Sequence, residues 1–324
     1  METRQLGSLW PVSALTLGGG GIGQLWGETT REECIATVRA AVDGGITLLD
    51  LAPSYGDGEA ESVIGAAFEG SLPDGVRITT KCRLGTPPPA DVEANVLRSL
   101  EESLARLRLE RVDLLFLHSN IVPDDYDTSA YPGPRATRWA IYAGPWRDVC
   151  EKLIAEGRIG AWGITGIGYP ASILEAAATA PRPMAAQCLA NPLDSAGELK
   201  YYAVPTRARH IIAESHAQRV GVMGIRVVQG GAFCDTVDRP LPADHGVMAD
   251  YARLAGFREL AAELGTSAAA LAHRYALSMT GVDTVVLGVK NRAELADCLA
   301  AAEAGALDAA TLRRIDAACG AVAS

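Results

Sequence analysis

Along this chain short continuous apolar runs alternate with longer stretches whose apolar residues recur at helical spacing. "LTLGG" leads to "REECIATVRAAVDGG", "ITLLD" to "EAESVIGAAFEG", "VRITTK" to "DVEANVLRSLEESLARL" and "VDLLFLH" to "WRDVCEKLIAEG". The alternation continues with "IGAWGIT" and "ASILEAAATA", "MAAQCLA" and "TRARHIIAESHAQR", "VGVMGIRVV" and "YARLAGFRELAAELG", then "VDTVVLG" and "RAELADCLAAAEAG". Runs that are apolar throughout, rather than at every second position, predict strands buried on both faces, as in a parallel sheet covered by helices. Eight strand–helix units in one chain of 324 residues predict a closed (β/α)8 TIM barrel, a single domain over residues 1–324. "RQLGSLWPVS" reads as a short hairpin closing the barrel bottom, and 119–144 as an extended loop after strand 4, too long and too rich in Pro, Asp and Tyr for a plain connection.

The glycines at the end of the first strand offer a rival reading. Gly18, Gly20 and Gly23 match the G-x-G-x-x-G dinucleotide fingerprint, and Asp50 could serve as its ribose acid in a Rossmann-type dehydrogenase. That fold needs a helix opening at the third glycine. Instead "TREE" places a capping box at Thr30 and Glu33, seven residues beyond Gly23, so the glycines read as a loop at the barrel mouth that allows close backbone approach.

Composition narrows the function classes. A net charge of −10 without a basic run opposes nucleic acid and anionic membrane surfaces and points to a small-molecule ligand. No apolar run reaches membrane-spanning length, and "METRQLGSLW" lacks the design of a signal peptide, so the expected compartment is cytoplasmic. The seven cysteines are scattered without a C-x-x-C pair, which speaks against disulfides and a metal site and for buried thiols. Only four of 29 cationic side chains are lysines, so each lysine invites a reason.

In a TIM barrel the chemistry stands at the C-terminal strand ends. Those positions hold Asp50, Lys81, His118, Thr165 and Gln187, with Tyr55 five residues past Asp50. Each also has a structural reading: a loop cap, a salt-bridge partner, a satisfied core histidine, a rim aromatic. As a set they make a proton-transfer site. Lys81 could lower the Tyr55 pKa, Asp50 hold Lys81 charged, and His118 donate to an oxygen that becomes negative. Such a site moves a proton but no electrons, so a nicotinamide cofactor exchanging hydride with a carbonyl completes the chemistry.

"GITLLDLAPSYGDGEAESVIGAAF", "ITTKC", "RVDLLFLH" and "EGRIGAWGIT" together resemble the aldo-keto reductase family, over nearly the full chain. The resemblance implies that Asp50, Tyr55, Lys81 and His118 are the catalytic tetrad and that NADP lies across the barrel rim, with NAD as the alternative. It further implies that Thr165 and Gln187 hold the carboxamide, and that Arg226 and Val228 of "GVMGIRVVQGGAF" lie near the pyrophosphate. Lys290 and Arg292 would then meet a 2′-phosphate at the start of the last helix. Departures from the family pattern are Thr165-Gly166 for Ser-Asn, Ile225 at the usual stacking aromatic and Cys298 at an adenine-contacting Asn. The Ile-Thr-Gly run is shared with the aldose and L-galactose dehydrogenase branch. Among the rim aromatics Trp26, Tyr126, Tyr131, Trp139 and Trp146, substrate contact is assigned to Trp26 and Trp139. A non-catalytic NADP-binding module on the same scaffold stays as an alternative, and a homo-oligomer stays open.

Overall fold

In the computed structural model, which describes residues 1–320, the apolar runs close into a ring. β1 (Thr3–Gln5) and β2 (Pro11–Ser13) form an antiparallel hairpin. The barrel strands are β3 (Leu15–Gly18), β4 (Leu48–Asp50), β5 (Arg77–Cys82) and β6 (Val112–Leu117). After β7 (Asn120–Val122) and β8 (Ala136–Arg138), which pair with each other apart from the barrel, come β9 (Ile159–Thr165), β10 (Ala185–Leu189), β11 (Gly221–Ile225) and β12 (Thr284–Leu287). The closed order is β10-β11-β12-β3-β4-β5-β6-β9, every neighbour parallel. The helices are α1 (Gly19–Ile22), α2 (Arg31–Asp43), α3 (Glu59–Phe68), α4 (Val92–Leu107), α5 (Trp139–Ile141), α6 (Arg147–Ala155), α7 (Pro170–Ala178), α8 (Ala208–Ala217), α9 (Gly246–Arg253), α10 (Ala255–Glu263), α11 (Ala268–Ser278), α12 (Arg292–Glu303) and α13 (Ala309–Ala318).

Two apolar layers follow from strand alternation, since successive side chains point to opposite faces. Leu49, Ile78, Leu115 and Ile164 face outward and pack with helix stripes such as Val92, Val96, Leu100 and Leu104 of α4. Leu48, Leu114, Phe116, Ala161, Ala185 and Met223 face the axis and form a separate inner cluster. The hairpin adds Leu6 and Val12 to that cluster, closing the bottom as the sequence predicts. The same alternation that sends Leu48 into the plug sends Asp50, two residues on, toward the mouth, and in register Asp50 pairs with Thr79 and Lys81 with Phe116.

The Rossmann alternative is corrected by this fold. The sheet is a closed barrel, and the helical turn nearest the glycines, α1, ends at Gly23 instead of opening there. The next helix starts at the predicted box, with the Thr30 side chain accepting from the Glu33 amide. What the glycines provide is proximity: a Cβ on Gly19 would stand 2.9 Å from the Tyr55 ring, one on Gly20 2.5 Å from Trp26 Nε1, and one on Gly21 1.9 Å from the Val289 carbonyl. Two further corrections concern helices. "YARLAGFRELAAELG" is broken at the buried Leu254 into α9 and α10, and the helix that packs on β12 is α11, which the strand–helix pattern passed over. The long segment after β6 is ordered by β7, β8 and the buried Tyr131, Ile141 and Tyr142.

Candidate active site

A cavity of about 800 Å³ opens at the C-terminal strand ends, within the range of about 300–1,000 Å³ usual for ligand pockets. Its floor is a buried polar network. The Lys81 ammonium donates to Asp50 Oδ2 at 2.8 Å and to the Leu51 carbonyl at 2.7 Å, while Asp50 Oδ1 accepts from Thr79 Oγ1 at 2.6 Å and Gln187 Nε2 at 2.7 Å. Both carboxylate oxygens are thus satisfied, and one Lys81 N–H is left over. The Lys81 side chain is fully buried, and its nitrogen stands 4.7 Å from the centre of the Tyr55 ring. Burial works against the Lys81 charge; Asp50, with lesser help from the Tyr55 oxygen, more than restores it and holds the ammonium above the ordinary lysine value.

His118 stands edge-on to Tyr55, ring centres 5.7 Å apart, and its Nδ1 is 3.5 Å from Ser54 Oγ. Burial first, then the charges of Lys81, Arg83 and Arg135, push its pKa well below 6.5, so the ring is neutral and has one N–H to donate. The expected depression of the Tyr55 pKa is outweighed. Burial raises the phenol above its ordinary 10, and the opposing pull of Lys81 is the smaller effect. The phenol is therefore a protonated acid in this form of the site, and its conversion to phenolate leans on Lys81.

The structure gathers most, not all, of the residues singled out from sequence. Thr165, Gln187, Val228, Arg226, Lys290 and Trp26 line the cavity with the tetrad members Asp50, Tyr55 and His118. Thr165 Oγ1 is occupied by the Leu117 carbonyl at 2.9 Å, and the Gln187 amide by Asp50. The Arg226 guanidinium is held by Gln229 at 2.8 Å and Glu198 at 2.9 Å, and Lys290 by Asp238 at 2.7 Å and by Glu294. Two of the assigned residues lie outside the lining. Arg292 is not in the cavity wall; it turns along the surface to chelate Glu33. Trp139 packs on Tyr142, ring centres 5.3 Å apart, and contributes nothing to the lining; Tyr126, Tyr131 and the fully buried Trp146 are likewise absent from it. Sequence reasoning missed Ser54, Arg83, Asn120, Arg135 and Tyr201, which line the reacting end. Arg83 lay two residues past Lys81 and could have been found by that spacing; Arg135 depends on the β7–β8 pairing, which the sequence does not announce.

Thr165-Gly166 has a local cause. A Cβ on Gly166 would stand 2.9 Å from the Gln187 carbonyl and 3.0 Å from Cys188 Sγ, so no side chain fits without moving β10. At the other end, His273 Nδ1 lies 2.7 Å from the Ala269 carbonyl, which can only accept; the proton is on Nδ1, and Nε2 faces the Cys298 thiol at 3.8 Å. All seven cysteines are free, and among the described residues there is no group that could hold a metal ion and no helix long and apolar enough to cross a membrane.

Known proteins share this architecture. The chain is 38% identical over 101 residues to the aldo-keto reductase YhdN of Bacillus subtilis (strain 168), covering 30% of each chain. It is 30% identical over 182 residues to D-threo-aldose 1-dehydrogenase of a Pseudomonas species, covering 47% of this chain and 50% of that one. These matches span from about a third to a half of the relatives' length. Among solved structures, an aldo-keto reductase from Klebsiella pneumoniae in complex with NADPH superposes with a TM-score of 0.70 at 22% identity, covering 98% of this chain and 94% of the other. The profile of the Aldo/keto reductase family matches residues 14–319, and with the barrel and the Asp50–Lys81–Tyr55–His118 cluster on one rim, this chain belongs to that family.

Proposed function

We propose that the chain is an NAD(P)-dependent oxidoreductase that exchanges hydride between nicotinamide and an aldehyde, ketone or sugar, with Tyr55 as general acid–base. The observation that carries this is the fully buried Lys81, charged by Asp50 and set against the Tyr55 ring beside a neutral His118. The names of the relatives, a reductase and an aldose dehydrogenase, support the same reaction class.

The residues present suit a dinucleotide. The cavity runs from Tyr55 and Asp50 past Val228 and the glycines Gly230 and Gly231 to Ser267 and Ala270 at the start of α11. Gly231, at φ +101°, presents bare backbone there, where a Cβ would be strained. Thr165 and Gln187 would hold the nicotinamide end, the 228–231 backbone the phosphates, and Lys290 the adenosine end. When bound, the nicotinamide supplies or accepts the hydride. This chain's residues do the rest. His118 donates its single N–H to the substrate oxygen and orients it, Tyr55 gives that oxygen a proton in reduction or takes one in oxidation, and Lys81 stabilises the phenolate left behind.

NADP is the favoured cofactor, as in the Klebsiella structure, and NAD the alternative. Lys290 is the cation at the adenosine end, and Asp238 and Glu294 already neutralise it, so its hold on a 2′-phosphate competes with two carboxylates. Fluorescence titration with NADPH and NADH measures the preference, and Lys290→Ala should lower the NADPH-to-NADH affinity ratio; an unchanged ratio removes Lys290 from cofactor selection. Turnover of a simple aldehyde with either nucleotide separates an enzyme from a non-catalytic nucleotide-binding module. A cytoplasmic setting and a free small-molecule substrate belong to the same reading.

A further inference from the structure

Two arginines, Arg83 and Arg135, line the same cavity as Tyr55 and His118. Arg83 follows β5; its Nη2 donates to Ser54 Oγ at 3.2 Å, and its Nε is buried without a partner. Arg135 precedes β8, and its Nη1 donates to the Tyr201 phenol at 3.4 Å. Among the described residues neither forms an ion pair. Of the carboxylates that line the same cavity, Asp50 is committed to Lys81, Glu198 to Arg226, and Asp238 and Glu294 to Lys290.

Other partly buried arginines are paired with an acid, as Arg106 with Glu61 and Arg209 with Asp194 and Asp316, or, like Arg147 and Arg258, stand against a tyrosine ring; Arg83 and Arg135 differ in lining the cavity together. Half-buried cations left unpaired and close to one another are costly unless something negative joins them. Their proximity is felt in Arg83, whose pKa falls through burial first and the Arg135 charge second. Both charges also bear on His118, so an anion bound between them lies beside the group that receives the reacting oxygen.

The anion is not the nucleotide's. In the closed strand order β5 stands diametrically across from β11, and β6 across from β12. The phosphate-facing residues belong to the loops after β11 and β12, whereas Arg83 follows β5 and Arg135 comes from the segment after β6. The two arginines thus come from segments on the far side of the ring from those loops, and they line the cavity with Ser54, Tyr55 and His118. A guanidinium fork matches a carboxylate in plane and spacing, which a sugar hydroxyl does not exploit.

Building on the oxidoreductase reading, we propose that Arg83 and Arg135 form a carboxylate subsite and that the physiological substrate is an anionic carbonyl compound, an aldehydic or keto acid or the matching hydroxy acid. Matched aldehydes test it: succinic semialdehyde against butanal, and 4-carboxybenzaldehyde against 4-methylbenzaldehyde, with NADPH and the purified chain. The carboxylate member should have the higher kcat/KM by about tenfold or more, carried mainly in KM. The ratio should collapse toward one in Arg83→Gln and Arg135→Gln and survive in part in the lysine variants; NADPH binding reports that each variant is folded. Equal kcat/KM within both pairs in the unaltered enzyme, or a ratio that survives in both glutamine variants, overturns the subsite. Calorimetry of benzoate binding to the protein–NADPH complex keeps the two readings apart. Arginine-dependent benzoate binding without turnover of any aldehyde upholds the subsite and overturns hydride transfer, while absence of both overturns the two together.

Discussion

Tyr55 and His118 share one small volume and are pushed in opposite directions by it. Burial favours the neutral form of each, which for a phenol means a higher pKa and for an imidazole a lower one. Reduction needs the phenol protonated. Since Tyr55 is held above 10 and His118 well below 6.5, neither changes state across about pH 7–9, so kcat/KM for reduction should be flat there and fall only on the alkaline side. Oxidation needs phenolate and should rise with pH over the same range. A pH profile with a limb near 6.5 that disappears in His118→Gln would contradict a neutral imidazole. Tyr55→Phe keeps the ring that packs on Gly19 and removes the proposed proton donor, so kcat should drop by about 10² to 10⁴ with cofactor affinity retained. At this scale the clustering of Asp50, Tyr55, Lys81 and His118 was legible because four chemically matched side chains fell at strand ends and one loop. Trp139 and Arg292 stand outside the lining because the direction a side chain takes at a helix start is not written in its position: Tyr142 claims one and Glu33 the other.

An element's sequence can be read only as far as its own pattern contrasts with its surroundings. The barrel strands were legible as unbroken apolar runs, whereas "SAAALAHRYALS" of α11 is small and apolar on most faces and shows little stripe. Its one clear signal was the cap, Ser267, which accepts from the Ala270 amide. Between β9 and β10 the limit is close packing. Gly166 stands where the family carries Asn, and the resemblance alone invites restoring it. The geometry predicts the reverse: Gly166→Asn must push the Gln187 backbone, which a Cβ would approach to 2.9 Å, and so disturb the amide that Gln187 gives to Asp50. Overpacking of this kind costs about 1–3 kcal/mol. Urea denaturation should register that loss, and NADPH affinity should fall; a variant as stable as the parent with tighter binding would show that the pocket has room that Gly166 leaves unused.

For the molecule as a whole, the barrel separates stability from chemistry along its axis. The mouth carries buried charge: Lys81 and Asp50 survive there because each compensates the other, and removing one partner of such a pair costs about 3–5 kcal/mol. At the bottom the inner cluster is apolar and is sealed by Leu6 from the hairpin, and the buried acid beside it, Asp283, is spent on the Gly7 and Val222 amides. Leu6 is 0% exposed and packs among Leu48, Leu114, Phe116, Ala185 and Met223, drawn from strands around the ring. It therefore ties together strands that meet only side by side, and it does so at the end away from Tyr55. Leu6→Ala should cost about 2–5 kcal/mol, through lost burial and the cavity left behind. The urea midpoint should fall accordingly, with kcat and KM for a simple aldehyde unchanged while the protein remains folded. Gly7 gives an independent check on the same seal: at φ +51°, with a Cβ position 2.3 Å from the Gly221 amide nitrogen, it admits no side chain, so Gly7→Ala should also lower the midpoint. If Leu6→Ala instead lowers kcat in the folded protein, the hairpin is coupled to the mouth through β4, where Leu48 and Asp50 share three residues of strand, and the two ends do not act apart.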